Sequence, residues 1–265
     1  MSADGRRVVK EVTVRAPVDR VWHALTDPEE LMRWFPPVAR VEPGVGGSIT
    51  LSWGAGMEGT APIHVWDPHE RFGWTEEHPG EPPVRIAVEF EIAAAGGGAT
   101  TVRLVQSGFG PGTDWDEYIS SVDGGWTYFL ANLRHYLERH PDEPRTMVAE
   151  RRPPGMPRGQ AWERLLGEVF RVQPLAEGAA CTLELPGLGT LTGTAFIVRA
   201  PHHFACTVAE LGDGLLFAEF EPGGEQWHCG VWLSLYGVDK ATATRAGAAL
   251  TAAVARAWQP AGGGK

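Results

Sequence analysis

Residues 115–139 read WDEYISSVDGGWTYFLANLRHYLER. Ile119, Val122, Trp126, Phe129, Leu130, Leu133 and Leu137 recur there at intervals of three and four. That period stacks side chains on one side of an α-helix, so Trp115 to Arg139 predicts one long helix with a broad apolar stripe. A stripe of that width has to be covered by another layer. The residues before it supply the cover. Arg85 to Ile92 alternates Ile86, Val88, Phe90 and Ile92 with Arg85, Ala87, Glu89 and Glu91, the pattern of a half-buried strand. Gly96-Gly97-Gly98 turns the chain and Thr100 to Ser107 returns it. Further strands are predicted over Val8 to Arg15, around Ile49, Leu51 and Trp53, over Thr60 to Trp66, and over Arg71 to Thr75. Strands in such close succession form an antiparallel meander. The class is α+β: a curved antiparallel sheet around a long C-terminal helix.

Two short helices stand between the first strand and the meander. Pro17 opens one, with Val18, Val21, Trp22 and Leu25 on one side. Asp27 caps the other, and Glu29 and Glu30 suit its positive end. Leu31, Met32, Trp34 and Phe35 complete it before Pro36-Pro37.

After the long helix, residues 141–159 are rich in Pro and Arg and read as a linker. A helix is predicted over Gln160 to Phe170, strands near 180–185, 190–198, 203–209, 214–221 and 227–236, and a helix over Lys240 to Trp258. The halves echo each other. Gly59-Thr60-Ala61, Ile63, Pro68-His69 and Phe72 answer Gly193-Thr194-Ala195, Ile197, Pro201-His202 and Phe204, and Glu89-Phe90-Glu91 answers Glu219-Phe220-Glu221. The fold is therefore expected to be duplicated. The expected division is a first domain over 1–140, the linker, a truncated second domain over 160–259 lacking a first strand, and a disordered tail over 260–265.

Composition narrows the function classes. A net charge of −10 opposes nucleic-acid binding, which needs a basic face. No apolar run is long enough for a membrane span, and the polar N-terminus has no apolar signal core. Cys181, Cys206 and Cys229 show no metal spacing and read as reduced, buried thiols of a cytoplasmic protein. Neither a metal nor a cofactor is expected: no phosphate loop or dinucleotide fingerprint occurs, and His202-His203 has no third ligand at metal spacing.

The first half resembles the SRPBCC superfamily, and within it the bacterial homologues of the chaperone-ATPase activator C-terminal domain. The resemblance rests on Ala16-Pro17-Val18-Asp19-Arg20-Val21-Trp22, Leu25-Thr26-Asp27-Pro28-Glu29-Glu30-Leu31 and Arg33-Trp34-Phe35. It continues through Val45-Gly46-Gly47, Asp67-Pro68 with Phe72 and Trp74, Ser107-Gly108-Phe109 and Gly125-Trp126. It implies a helix-grip (START-like) fold enclosing a cavity. Such domains mostly bind apolar or amphipathic small molecules, and a minority are enzymes such as aromatic polyketide cyclases. The matched residues are architectural and carry no shared catalytic group.

The expected cavity lining is Trp34, Phe35, Trp53, Trp66, Trp74, Phe90, Phe109, Trp126, Phe129, Leu130 and Leu133, since large aromatics bury much area and stack on flat ligands. His64 alternates with Trp66, so the two are expected to share a face, with His64 as the polar handle or general base. Glu58 and Arg103 are weaker candidates, and His69 and His202 read as turn residues. Three functions follow: non-catalytic binding of a small hydrophobic or amphipathic molecule, a cyclase or hydratase using His64 or a nearby carboxylate, and a protein-interaction module. A homodimer or an intramolecular pseudo-dimer is compatible with each.

Overall fold

The computed structural model describes residues 6–54, 56–78, 83–223 and 226–259. The expected tail 260–265 lies outside them. The chain divides into two compact units, Met1–Glu143 and Pro144–Lys265.

Among the described residues, the first unit holds β1 Arg7–Val14, α1 Val18–Thr26, α2 Pro28–Leu31, β2 Val38–Val41, β3 Ser48–Ser52, β4 Glu58–Asp67, β5 Arg71–His78, β6 Val84–Gly96, β7 Ala99–Ser107 and α3 Asp114–Arg139. Its sheet runs β1-β7-β6-β5-β4-β3-β2, every neighbour antiparallel. This is the helix-grip fold. The apolar rows Ile86, Val88, Phe90 and Ile92 on β6 and Val102 and Leu104 on β7 are buried, as are Trp126, Leu130, Leu133 and Leu137 on α3.

Local chemistry sets the entry to the grip. Asp27 accepts the backbone N–H groups of Glu29 (2.9 Å) and Glu30 (3.1 Å), capping α2 as its sequence suggests. The helix stops at Leu31, and Met32 to Phe35 form a turn, where the sequence pattern had them finish the helix. Asn132 on α3 donates to the Trp34 carbonyl at 2.6 Å, so that turn is fastened to the long helix. A charged knot reinforces it. Glu30 accepts from Arg20 (2.8 Å) and from the Tyr136 hydroxyl (2.8 Å), and Arg33 donates to that hydroxyl at 3.1 Å. Burial raises the Tyr136 phenol above its ordinary range, so it stays a donor. Between β2 and β3, a Cβ at position 47 would run into the Glu42 carbonyl, so only glycine closes that turn.

The second unit holds β8 Arg145–Arg152, α4 Arg158–Trp162, a π-helical turn Glu163–Val169, β9 Ala180–Leu185, β10 Gly189–Arg199, β11 His203–Val208, β12 Gly214–Gly223, β13 Gln226–Tyr236 and α5 Lys240–Ala257. Its strand order is β8-β13-β12-β11-β10-β9. Set beside the first sheet, β8 stands for β1, β13 for β7, β12 for β6, β11 for β5, β10 for β4 and β9 for β3. The duplication is therefore architectural, and two expectations change. The segment 141–159 is not simply a linker, because Arg145–Arg152 pairs along β13. The second copy thus has its first strand; the place of β2, beside β9, is reduced to a single bridge between Gln173 and Thr182.

Candidate functional site

Strand register identifies the inner face of the first grip. On β5, Phe72 lies opposite Phe90, Trp74 opposite Val88 and Glu76 opposite Ile86. Directly opposed residues share a face. Phe72, Trp74, Ile86, Val88 and Phe90 are all buried, so Glu76 also faces inward and is half-buried.

Most of the expected aromatic lining forms one continuous group. Phe35 is its hub, stacking on Trp34 (5.1 Å between centroids) and Trp126 (5.1 Å) and meeting Trp53 (5.3 Å) and Phe129 (4.7 Å) edge-on. Trp126 passes the contact to Phe90 at 5.8 Å, and Phe90 to Trp74 at 6.0 Å. Trp66 joins through Phe72 at 5.4 Å and reaches Trp22 of α1 at 5.3 Å. Leu130 and Leu133 are buried on α3. Phe109 belongs to a different group, with Trp115 at 6.2 Å and Tyr118 at 6.1 Å. His78 completes that second group, 4.9 Å from Trp115 and 5.2 Å from Tyr118. These rings sit where the His78 end of β5 meets the first turns of α3.

His64 does not belong to the lining. Ile63 lies opposite Trp74 and Trp66 opposite Phe72, but Val65 lies opposite Gly73, so His64 is the extra residue of a β-bulge. One extra residue reverses the alternation beyond it, and His64 and Trp66 end on opposite faces. His64 lies instead on the outer face. Its Nε2 is 3.0 Å from Glu89 Oε1, and its Nδ1 is 3.0 Å from the Thr75 hydroxyl. Arg103 is also on the outer face, paired with Glu91 at 2.6 Å, and Glu58 is exposed. His69 is a turn residue with φ 67°, its Nδ1 3.1 Å from Asp19 Oδ1.

The inward polar groups are ones the sequence reading passed over. Glu76 accepts the Trp74 indole N–H at 2.8 Å. Gln106 on β7 is 4% exposed and accepts the Trp126 indole N–H at 2.6 Å. Each was signalled by a polar residue in the apolar register of an alternating strand: Glu76 follows Phe72 and Trp74, and Gln106 follows Val102 and Leu104. Tyr118 adds a hydroxyl. Burial, with the nearby Glu76 charge, pushes its phenol up to about 12, so it is neutral at physiological pH.

The second unit carries different chemistry at the same places. Its hairpin β10–β11 has a bulge between Ala195 and Ile197, beside Cys206 and Ala205, which matches the bulge beside Trp74 and Gly73. Pairing through Cys206, Leu216 and Leu233 therefore matches pairing through Trp74, Val88 and Gln106. Val208 stands for Glu76, Leu233 for Gln106 and Cys206 for Trp74. All three are buried in one apolar core.

Residues 15–138 match the family model described as Activator of Hsp90 ATPase homolog 1-like protein. Among solved structures, a protein from Mesorhizobium loti is 27% identical, with 51% of this chain and 99% of that chain covered and a TM-score of 0.45. DynU16, from the dynemicin biosynthetic locus, is 22% identical over 95% of this chain and 97% of its own, with a TM-score of 0.43. The di-domain ARO/CYC BexL is 15% identical over 98% and 100%, with a TM-score of 0.44. No curated protein matches the sequence. No helix among the described residues is long and apolar enough to cross a membrane.

Proposed function

We propose that this chain, whose first unit belongs to the SRPBCC superfamily, holds a small amphipathic molecule inside that unit's grip and releases it unchanged. One observation carries the reading. Glu76 and Gln106 face inward among large aromatics, at positions where the second unit has Val208 and Leu233. A core built only for packing has no use for a carboxylate, whose burial costs free energy unless it is paired. Aromatic walls with a few convergent polar groups are what a pocket for an amphipathic molecule requires. Titration with an environment-sensitive apolar dye tests it. Saturable binding that is weakened by Phe35→Ala is expected; a signal that never saturates overturns the proposal.

Glu76 also supports a second reading, a cyclase or hydratase in which that carboxylate moves the proton. His64, on the outer face, cannot serve that role. Turnover of a bound polyketide-like substrate that Glu76→Gln abolishes while binding persists would favour catalysis. Recovery of every bound molecule intact would favour simple carriage.

A further inference from the structure

We infer that the end of the first grip bounded by Glu76, His78, Phe109, Trp115 and Tyr118 receives a cationic head, a protonated or quaternary ammonium, on the amphipathic molecule. The inference rests on the binding role proposed above and adds the chemistry of the head group.

Three observations converge. The first is the rings. Trp115 and Tyr118 stand at 87° with centroids 5.5 Å apart, His78 lies at 54° to Trp115 and 68° to Tyr118, and Phe109 at 57° and 68° to the same pair. The rings touch one another in tilted and edge-to-face contacts, and at such steep angles their remaining faces point in several directions at this end of the grip. An ammonium is attracted to an aromatic face within about 6 Å, and best when several faces surround it. The wall is also built to stay there: a Cβ at position 110 would strike the Trp115 indole, so glycine lets that ring lie against the backbone.

The second is the charge. Among the described residues no lysine, arginine or histidine is ion-paired with Glu76, whose one protein hydrogen bond is from Trp74. Arg85, one strand position from its level, pairs with Glu77 on the opposite face at 3.4 Å. A carboxylate keeps about four acceptor sites, so most of the Glu76 capacity is left for a ligand. Tyr118, neutral at physiological pH, brings a π face and no second negative charge.

The third is access. Glu76, His78, Trp115 and Tyr118 are half-buried, whereas Trp34, Phe35, Trp74 and Trp126 are buried. A molecule with its tail among the buried rings would leave its head among the half-buried ones. Glu76 would then attract a cation, be indifferent to a neutral head and repel an anion.

The test uses the full chain and three probes with the same tail: decyltrimethylammonium, decanol and decyl sulfate. Affinities are read by calorimetry and tryptophan fluorescence. The ammonium is expected to bind about tenfold tighter than decanol, as one cation–π box with a carboxylate supplies, and the sulfate weakest. In Glu76→Gln the ammonium-to-decanol ratio should fall close to one. In Trp115→Leu, which keeps apolar bulk, it should fall about threefold. A ratio near one in the parent protein, or an unchanged ratio in both variants, overturns the cationic head and leaves the cavity reading standing. If none of the three probes binds, the cavity reading itself falls.

Discussion

Where β5 of the first unit carries Glu76, β11 of the second carries Val208; where β7 carries Gln106, β13 carries Leu233. Strand order, hairpins and a bulge are shared, and the difference lies in a few inward positions and in the closing helix. Alpha-helix α3 has 26 residues and α5 has 18, a difference of eight, and the loop before α3 spans 108–113 against 237–239 before α5. The second unit shows what this topology is when these inward positions serve packing: Val208, Leu233 and Cys206 join one apolar core with Trp162, Phe170, Phe204 and Phe220. The first shows the same topology keeping polar groups inside, each held by an indole N–H. The lesson is that the fold tolerates either use, and that the inward register decides between them.

The sharpest way to break the contrast is to exchange the inward residues. Leu233→Gln places an amide in an apolar core and should cost about 3 kcal/mol, read as a lower urea midpoint. The reciprocal Gln106→Leu orphans the Trp126 N–H and should cost about 1–3 kcal/mol. If Leu233→Gln costs less than Gln106→Leu, the two interiors are not specialised as described.

A second contrast concerns carboxylates. Glu219 of the second unit accepts the Trp232 indole N–H at 2.7 Å, and burial, with the neighbouring Glu221 charge, raises its carboxyl well above the ordinary range. A carboxyl raised in the folded state stabilises the fold below its unfolded value, and that contribution is lost as pH rises through the folded one. Glu219→Gln, which keeps the acceptor, should therefore be more stable than the parent at pH 8 and equal to it near pH 3. A parent that holds its thermal midpoint from pH 3 to pH 8 would contradict this.

Smaller effects sharpen the picture. Asp27→Ala removes the cap of α2 and should cost about 1 kcal/mol, visible as a small drop in thermal midpoint. His64→Ala, on the outer face, should leave dye affinity within about twofold of the parent, since it touches no inward group. A larger loss would return His64 to the site.

How much of this was legible in the sequence depends on the strand. Strands with one buried face, such as β6, announced themselves by alternation, and α3 by its stripe. Strand β8 did not: its residues are half-buried or exposed along their length, with no alternation to read, and prolines on either side suggested a linker. Strand β2 has four residues directly after Pro36-Pro37, too short for a period to show. Within the site the aromatics were legible because size alone marks them. Glu76 was missed because β5 runs to His78, three residues past its apparent end at Thr75. His64 was misplaced because alternation cannot reveal an inserted residue. The echo suffered similarly: Gly193 answers Gly59 at an offset of 134, Phe204 answers Phe72 at 132, and the bulges match at 132.

That bulge has a consequence for parity. On a regular strand two inward residues are separated by an even count, yet on β4 Ile63 and Trp66 are separated by three, and on β10 Ala195 and Val198 likewise. Each hairpin therefore contains one odd step on an even lattice. Deleting the inserted residue restores a regular strand with Ile63 and Trp66 two apart and both still inward, while deleting two there leaves them adjacent and turns everything beyond inside out. Loss of that one residue is thus the length change each bulge can take without reversing a face, and both units keep the odd step.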